Sequence, residues 1–337
     1  MLNTVLVTQR HFDEAAIAYL REGGCEVVIA DLPPGRADGD ISHETLVQWL
    51  QGASGWIVGH AHVTRELLAA LPDLRVIARR GVGYERIDTQ AVRDLGRVAT
   101  IAAGTNDATV ADLTIGLMLG LGRRFRECGE GLSKGAWSIP LGSDLYRKTV
   151  GIVGLGRIGL AVLRRLRGFD VNVLVHSLSK PTAHEASEGV KYVELDTLLA
   201  ESDYVTLHAP LTDQTRFLIR EKTIRRMKPT AFLINTARGG LVEDRDLLAA
   251  LRVGRLAGAG LDVFVSESDP GYETVTNALV NLPNVIALPH AGASTREGLA
   301  RMNLMAARCI VAALDGNDLP PGCVIADGRR RGEAQAA

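Results

Sequence analysis

The chain has 337 residues, 46% of them hydrophobic and 23% charged, enough apolar material for the cores of two globular domains. Its 38 Lys plus Arg against 39 Asp plus Glu give a net charge of −1, which offers no electrostatic reason to expect nucleic acid or an anionic membrane as a partner. The four cysteines, Cys25, Cys128, Cys309 and Cys323, are far apart and form no C-x-x-C, which argues against a zinc knuckle, a redox pair or a disulfide framework and fits a reducing cytoplasm.

Met1 to Thr4 runs straight into a strand-like stretch, Val5 to Thr8, and nothing there resembles a secretory signal. Apolar runs of strand length follow at Val27 to Ala30, Gly55 to Val58, Val76 to Ala78 and Val98 to Ile101, with amphipathic stretches between them such as Phe12 to Arg21 and Glu66 to Leu71. His60-Ala61-His62 has the spacing of a metal site but no clustered Cys, Asp or His beside it, so packing is the better reading. His11, His43 and His184 read as surface positions. After the fourth run come two cations and a glycine pair, Arg79-Arg80-Gly81-Val82-Gly83.

A helical run from Asp107 to Arg126 separates this first series from a second. Its apolar part, Val110 to Gly122, is too short to span a bilayer and carries Asp112, so it reads as a buried helix. The second series is Thr149 to Val153, Val171 to Val175, Tyr204 to Leu207, Ala231 to Ile234, Gly258 to Leu261 and Val285 to Ala287. Its first strand feeds Gly154-Leu155-Gly156-Arg157-Ile158-Gly159, a G-x-G-x-x-G turn opening a helix, Leu160 to Arg167. In that context each glycine has a purpose. Gly154 permits the tight turn, Gly156 lets backbone N–H groups approach a pyrophosphate, and Gly159 lets helix and strand pack closely. The phosphates are expected at the helix N-terminus, over Arg157 and Ile158, where unpaired N–H groups and the helix dipole favour negative charge.

Eighteen residues beyond Gly159, at the end of the next strand, a carboxylate ordinarily receives the adenosine ribose. This chain has Ser177 there, with Lys180 close by, so a ribose 2′-phosphate is not repelled and both NAD and NADP remain open. His208 ends the third strand of the series beside the expected adenine pocket, with Ala209 and Pro210 after it. Three later strands lead into polar segments, Asn235-Thr236-Ala237-Arg238-Gly239-Gly240, Leu261-Asp262-Val263-Phe264-Val265-Ser266-Glu267 and Pro289-His290-Ala291-Gly292. Ligands of open α/β sheets bind at such strand ends. Arg, Glu and His form a coherent set: an arginine holds a carboxylate, a histidine exchanges a proton, and a carboxylate behind it orients and charges it.

A last helix, near Thr295 to Leu314, follows the second series and is placed to return to the first domain, making that domain discontinuous. The class is α/β, two doubly wound parallel-sheet domains with a Rossmann-type nucleotide domain (104–293) inserted into a flavodoxin-like substrate domain (1–103 and 294–337). The final residues, from Gly328-Arg329-Arg330-Arg331 onward, read as a disordered, solvated tail.

From about Val76 to about Glu297 the chain resembles the D-isomer-specific 2-hydroxyacid dehydrogenases, which include 3-phosphoglycerate dehydrogenase and the glyoxylate and hydroxypyruvate reductases. The resemblance rests on Arg79 to Gly83, Lys148 to Gly159, His208 to Thr212, Asn235 to Val242, Gly260 to Phe264 and Pro289 to Glu297. It implies Arg238, Glu267 and His290 as the catalytic set. Asp262 would take the nicotinamide carboxamide, Thr236, Ala237 and Arg238 would line the nicotinamide pocket, Gly292 would also contact the cofactor, and the N–H groups of Val82 and Gly83 would cradle the substrate carboxylate opposite Arg238. Arg79 would neutralise a phosphate or second carboxylate, the bland alternative being a salt bridge to Glu85 or Asp88. The helix Asp107 to Arg126 would form a homodimer. In two places the chain departs from the family pattern. Ser177 stands where NAD-dependent members commonly have an acid, and Ser268-Asp269-Pro270 follows Glu267 where Pro usually comes at once, so a differently shaped loop is expected there.

The expected activity is NAD(P)-dependent hydride transfer between the nicotinamide and a small 2-keto or 2-hydroxy acid of the 3-phosphoglycerate, hydroxypyruvate or glyoxylate type, with no metal. The alternatives are oxidation of a small anion such as phosphite or formate, and a non-catalytic NAD(H)-sensing scaffold of corepressor type.

Overall fold

The computed structural model describes residues 2–177 and 190–329. The expected cofactor residue Lys180, His184 and the tail residues Arg330 and Arg331 lie outside the described residues. The chain divides into two compact units, Met1–Asn106 with Ala293–Ala337, and Asp107–Gly292.

The first part of the chain runs β1 (Asn3–Val7), α1 (Glu14–Glu22), β2 (Cys25–Ile29), α2 (His43–Leu50), β3 (Gly55–Val58), α3 (Arg65–Ala69), β4 (Val76–Arg79), α4 (Thr89–Asp94) and β5 (Val98–Ile101). The middle part runs α5 (Asp107–Gly122), α6 (Phe125–Ser133), β6 (Thr149–Val153), α7 (Arg157–Leu166), β7 (Asn172–His176), β8 (Lys191–Tyr192), α8 (Leu195–Glu201), β9 (Tyr204–Leu207) and α9 (Glu221–Ile224). It continues through β10 (Phe232–Asn235), α10 (Asp244–Arg252), β11 (Gly258–Leu261), α11 (Glu273–Val280) and β12 (Val285–Ala287), and the chain closes with α12 (Arg296–Leu314) and β13 (Val324–Asp327).

In the first unit the sheet order is β13-β5-β4-β3-β1-β2. Strands β1 to β5 are parallel in the flavodoxin-like order 2-1-3-4-5. Alternate residues face opposite ways, as strands buried on both sides require. Leu6, Trp56, Val58 and Ile77 pack with Leu46, Leu50, Leu67 and Leu68. Val5, Val7, Ile57 and Val76 pack with Ala16 and Leu20 of α1 and with Ala306 and Ile310 of α12. The expectation of a wholly parallel sheet is corrected by β13, which pairs antiparallel with β5. After α12 the chain reaches the open edge of β5, where Ile101 N–H donates to the Cys323 carbonyl at 2.8 Å, and a short antiparallel strand satisfies edge groups that would otherwise be left unpaired.

In the second unit seven parallel strands are ordered β8-β7-β6-β9-β10-β11-β12, the Rossmann order with one strand added. Val150, Ile152, Val175 and Ile234 pack against Ala111 and Met118 of α5 and Val162 and Leu166 of α7. Val153, Val205, Leu207 and Leu233 pack against Leu198, Ile224, Leu247 and Leu279 on the other face. The order reverses between β6 and β9, which makes the ends of those two strands the place where such a sheet accepts a ligand. The unit's two ends meet: a Cβ added to Gly292 would lie 3.6 Å from Val110 in the first turn of α5.

The helix expected from Asp107 to Arg126 is shorter than its apolar pattern suggests. It stops at Gly122, Arg124 takes a left-handed backbone with φ 53°, and α6 starts in a new direction. Packing is tight at the stop, where a Cβ at Gly122 would sit 2.5 Å from the Tyr204 hydroxyl and 2.8 Å from the Ser143 carbonyl. Ser143 N–H also donates to the Gly122 carbonyl at 2.7 Å, tying the returning chain to the helix end.

Candidate active site

The glycine loop fills the space between β6 and α7, and each glycine answers to a different neighbour. Gly154 has φ 92°, and a Cβ there would lie 2.7 Å from the Ala209 backbone nitrogen, so the turn packs directly on the His208-Ala209 segment after β9. A Cβ at Gly159 would stand 2.3 Å from the Gly154 carbonyl oxygen, so only glycine lets α7 lie this close to the loop. Gly156 is the contrast: a Cβ there would meet nothing within 4 Å. Its backbone faces open space at the start of α7, where the first N–H groups, those of Arg157 and Ile158 among them, have no partner within the helix. A helix start left open in this way suits an anion.

His208 stands next to this loop. Its Nε2 is 2.9 Å from the Thr206 hydroxyl, while its buried Nδ1 has no hydrogen-bond partner among the described residues. Burial pushes the imidazole down to about 3, so it is a neutral polar wall and not a proton carrier at neutral pH. Ser177 follows the end of β7 and is half-buried.

The three later polar segments lie at the ends of β10, β11 and β12 and are bonded to one another. Asn235 donates through its side-chain amide to the Arg238 carbonyl at 2.8 Å and accepts from Ala237 N–H at 3.1 Å, which shapes the turn that carries Arg238. Thr236 is tied to Thr114 of α5 by a hydroxyl contact of 3.0 Å. A Cβ at Gly239 would fall 2.1 Å from the Phe264 carbonyl carbon, so this glycine sets the Arg238 turn against the segment leading to Glu267.

Asp262 is 1% exposed, and both its oxygens are engaged, one by Ala291 N–H at 2.7 Å and the other by Gly292 N–H at 2.8 Å. Burial raises this carboxyl despite those two donors. It works as a clamp on the loop that carries His290, whose backbone is left-handed at φ 55°. Glu267 ends a 3-10 turn, Val265–Glu267. One of its oxygens accepts Phe264 N–H at 2.8 Å and the other lies 2.6 Å from His290 Nδ1. Burial works to raise the Glu267 carboxyl, but the hydrogen bond and charge of His290, the Phe264 N–H and the charge of Arg238 outweigh it and hold Glu267 below the ordinary carboxylate range. The extra residues after Glu267 form a second short turn, Pro270–Tyr272, in which Asp269 accepts Gly271 N–H at 2.9 Å. With this turn in place Glu267 stands against His290.

Arg79, Val82 and Gly83 belong to the first unit, at the end of β4. Arg79 donates to the Arg80 carbonyl at 2.5 Å and folds over Gly81, where φ is 150° and a Cβ would lie 2.9 Å from its guanidinium. His60 is fixed by its backbone, with its N–H and that of Gly59 each 2.6 Å from the buried Asp38 carboxylate.

Residues 115–292 match the family described as D-isomer specific 2-hydroxyacid dehydrogenase, NAD binding domain. A glyoxylate reductase of Korarchaeum cryptofilum is 40% identical over 268 residues, which cover 78% of this chain and 79% of that protein. The chain belongs to the D-isomer-specific 2-hydroxyacid dehydrogenases. Among solved structures, a protein from Thermus thermophilus is 34% identical with a TM-score of 0.83, covering 96% of this chain and 99% of that one. The D-lactate dehydrogenase of Aquifex aeolicus, solved with NAD and lactic acid, is 27% identical with a TM-score of 0.81, covering 96% and 99%.

This dehydrogenase is thus an oxidoreductase with a NAD-binding domain, and its chemistry is the NAD(P)-dependent interconversion of 2-hydroxy and 2-keto acids. Its own residues fit the dinucleotide: the backbone is open at Gly156, and the buried Nδ1 of His208, in the segment that Gly154 packs on, has no partner among the described residues. Among the described residues, no helix is long and apolar enough to cross a membrane. Two residues at the site are given no role by the sequence reading, Asn235, which shapes the Arg238 turn, and Asp244, a buried acid in the first turn of α10. Asn235 was visible as the polar end of an apolar strand. Asp244 looks like an ordinary acid at a helix start, and no local pattern marks it as buried.

Proposed function

We propose that this dehydrogenase reduces a small 2-keto acid of the glyoxylate or hydroxypyruvate class to the D-2-hydroxy acid, with His290 as the proton donor. The observation that carries this reading is the 2.6 Å contact between His290 and Glu267, with Arg238 beside it. The Korarchaeum relative's name, glyoxylate reductase, supports the substrate class. When bound, the nicotinamide supplies the hydride. Arg238 holds the substrate carboxylate and polarises the carbonyl. Glu267 orients the imidazole through Nδ1, leaving Nε2 to give its proton to the carbonyl oxygen as it becomes a hydroxyl. By the family resemblance Arg79, Val82 and Gly83 are assigned to the substrate, and Arg79 suits one with a second anionic group.

NAD is the cofactor the family domain implies, and Ser177, which carries no charge against a ribose 2′-phosphate, supports use of NADP as well. The functional form we infer is a homodimer. Trp137, Ile139 and Leu141 beyond α6 are 85%, 94% and 91% exposed, an apolar arm that a second copy would cover. An open groove of about 660 Å³ on the same unit, lined by Leu113, Gly116, Leu117, Gly120, Phe125 and Ile286, offers a matching surface. The arm extends the interface past the helix expected to form it.

The test is kinetic. Glyoxylate, hydroxypyruvate, 3-phosphoglycerate, phosphite and formate are each assayed with both cofactors in the appropriate redox state. His290→Ala and Arg238→Ala are expected to lower kcat/KM for the best keto acid by at least about a hundredfold while still binding dinucleotide. Near-normal turnover by either variant refutes the assignment, and turnover of phosphite or formate alone refutes the substrate class.

A further inference from the structure

Asp244 is 2% exposed, yet nothing in the chemistry described so far uses it. Its position follows from the close approach at Gly239, which brings the first turn of α10 against the Phe264-Val265 backbone. There one Asp244 oxygen accepts Val265 N–H at 3.0 Å, at the start of the 3-10 turn that ends in Glu267. The neighbouring Glu243 accepts the Tyr272 hydroxyl at 2.9 Å. Two successive acids at the start of α10 therefore hold both ends of the segment that presents Glu267.

We propose that Asp244 is a positioning residue for the Glu267–His290 pair, anchoring the turn that presents Glu267 and placing a buried negative charge behind it. This rests on the reading of His290 as proton donor. The charged and titratable groups around it are Glu243 and Arg245 on its own helix, Glu267 and Tyr272 from the turns packed on it, and Arg238 and His290, which face Glu267 from the ends of β10 and β12. Burial first, then the charges of Glu243 and Glu267, push Asp244 up to about 7 against the pull of Val265 N–H. The group thus gains its charge near neutral pH, where proton transfer at His290 has to operate. Ionised Asp244 adds to the negative potential behind the Glu267–His290 pair.

Two substitutions separate anchor from charge. Asp244→Asn keeps an acceptor for Val265 N–H and removes the charge, whereas Asp244→Ala removes both. For keto-acid reduction by Asp244→Asn, the alkaline limb of kcat/KM is expected to move to lower pH by about half a unit, as for a charge several ångströms away. Asp244→Ala is expected to show that shift and, in addition, a plateau kcat about tenfold lower, with the dinucleotide Kd of both variants as in the parent. Unmoved limbs in Asp244→Asn overturn the proposal, and so does a parental plateau kcat in folded Asp244→Ala. If Asp244→Ala does not fold, the pH limb of Asp244→Asn decides. His290→Ala, run alongside, keeps the two failures apart: an active His290→Ala removes the underlying reading, while an inactive one with unmoved limbs removes only the role of Asp244.

Discussion

Gly156 and Gly159 are three residues apart in one motif, and the structure gives a methyl group opposite consequences at the two positions. At Gly156 the new Cβ touches nothing within 4 Å, and the backbone, at φ −78° and ψ −163°, is one that any residue adopts. The gain from a stiffer unfolded chain, about 0.4 to 1 kcal/mol, roughly offsets the poorer helix cap that alanine makes. Gly156→Ala should therefore melt within a degree or two of the parent. The same methyl stands in the cradle, and losing one charge-assisted hydrogen bond to a phosphate costs about 1.5 to 3 kcal/mol, so the dinucleotide Kd should rise roughly 10- to 100-fold. At Gly159 the Cβ would lie 2.3 Å from a backbone oxygen, which cannot swing away as a side chain can. Overpacking of that kind costs about 1 to 3 kcal/mol or more, beyond the 1 kcal/mol or so of helix propensity that alanine brings. Gly159→Ala should lose both stability and affinity. Ligand-free thermal melts and titration with NADH or NADPH, followed by fluorescence, measure the two quantities separately. A Gly156→Ala protein that binds both dinucleotides with parental Kd would refute the assignment of this loop to the pyrophosphate.

Replacing Ser177 with Asp puts a carboxylate where a 2′-phosphate would be repelled, so the KM for NADPH should rise at least about tenfold relative to that for NADH; unaffected NADPH use would show that this residue does not face the ribose. Trp137→Glu with Leu141→Glu places charges on the exposed arm, and light scattering after size exclusion should then report a monomer; a persistent dimer would place the interface elsewhere. Asp244 also makes a prediction about stability. Its folded value of about 7 lies above the unfolded value of about 3.9, so between these the folded state holds the extra proton and stability falls as pH rises. Asp244→Asn should accordingly gain in Tm over the parent on going from pH 5 to pH 8, and a constant difference across that range would contradict the raised carboxyl.

Much of this fold could be read from local pattern because its strands are short, apolar and buried on both faces. Gly55–Val58, Val98–Ile101, Thr149–Val153, Tyr204–Leu207, Gly258–Leu261 and Val285–Ala287 begin and end where the hydrophobic runs do. The elements that escaped are those decided by distant partners. Lys191–Tyr192 is too short to show any periodicity, and Val324–Asp327 is a strand only because the edge of β5 lies open beside it. The break comes where Gly122 packs closely on the hydroxyl of Tyr204, eighty-two residues away (204 − 122 = 82), and the helical pattern simply runs through it. The site divides in the same way. Arg238, Glu267 and His290 stand at strand ends and carry their chemistry in their side chains, so they could be named. The Asp262 clamp on Ala291 and Gly292 and the Asp244 anchor on Val265 are long-range bonds between acids and backbone, and sequence spacing does not encode them.

The closeness of Gly292 to the first turn of α5 bears on how this chain can be rearranged. A contiguous segment whose two ends touch can be cut out or moved without stretching what remains, which is how an insertion is accommodated in a host domain. Residues 107–292 could be joined end to end through a short linker and reopened at an exposed loop, for instance near the arm at 135–141. A permuted protein of that kind would keep every strand of its sheet in the same spatial order while changing which one is synthesised first, and comparing its refolding rate with the parent's would show whether the glycine loop must form early.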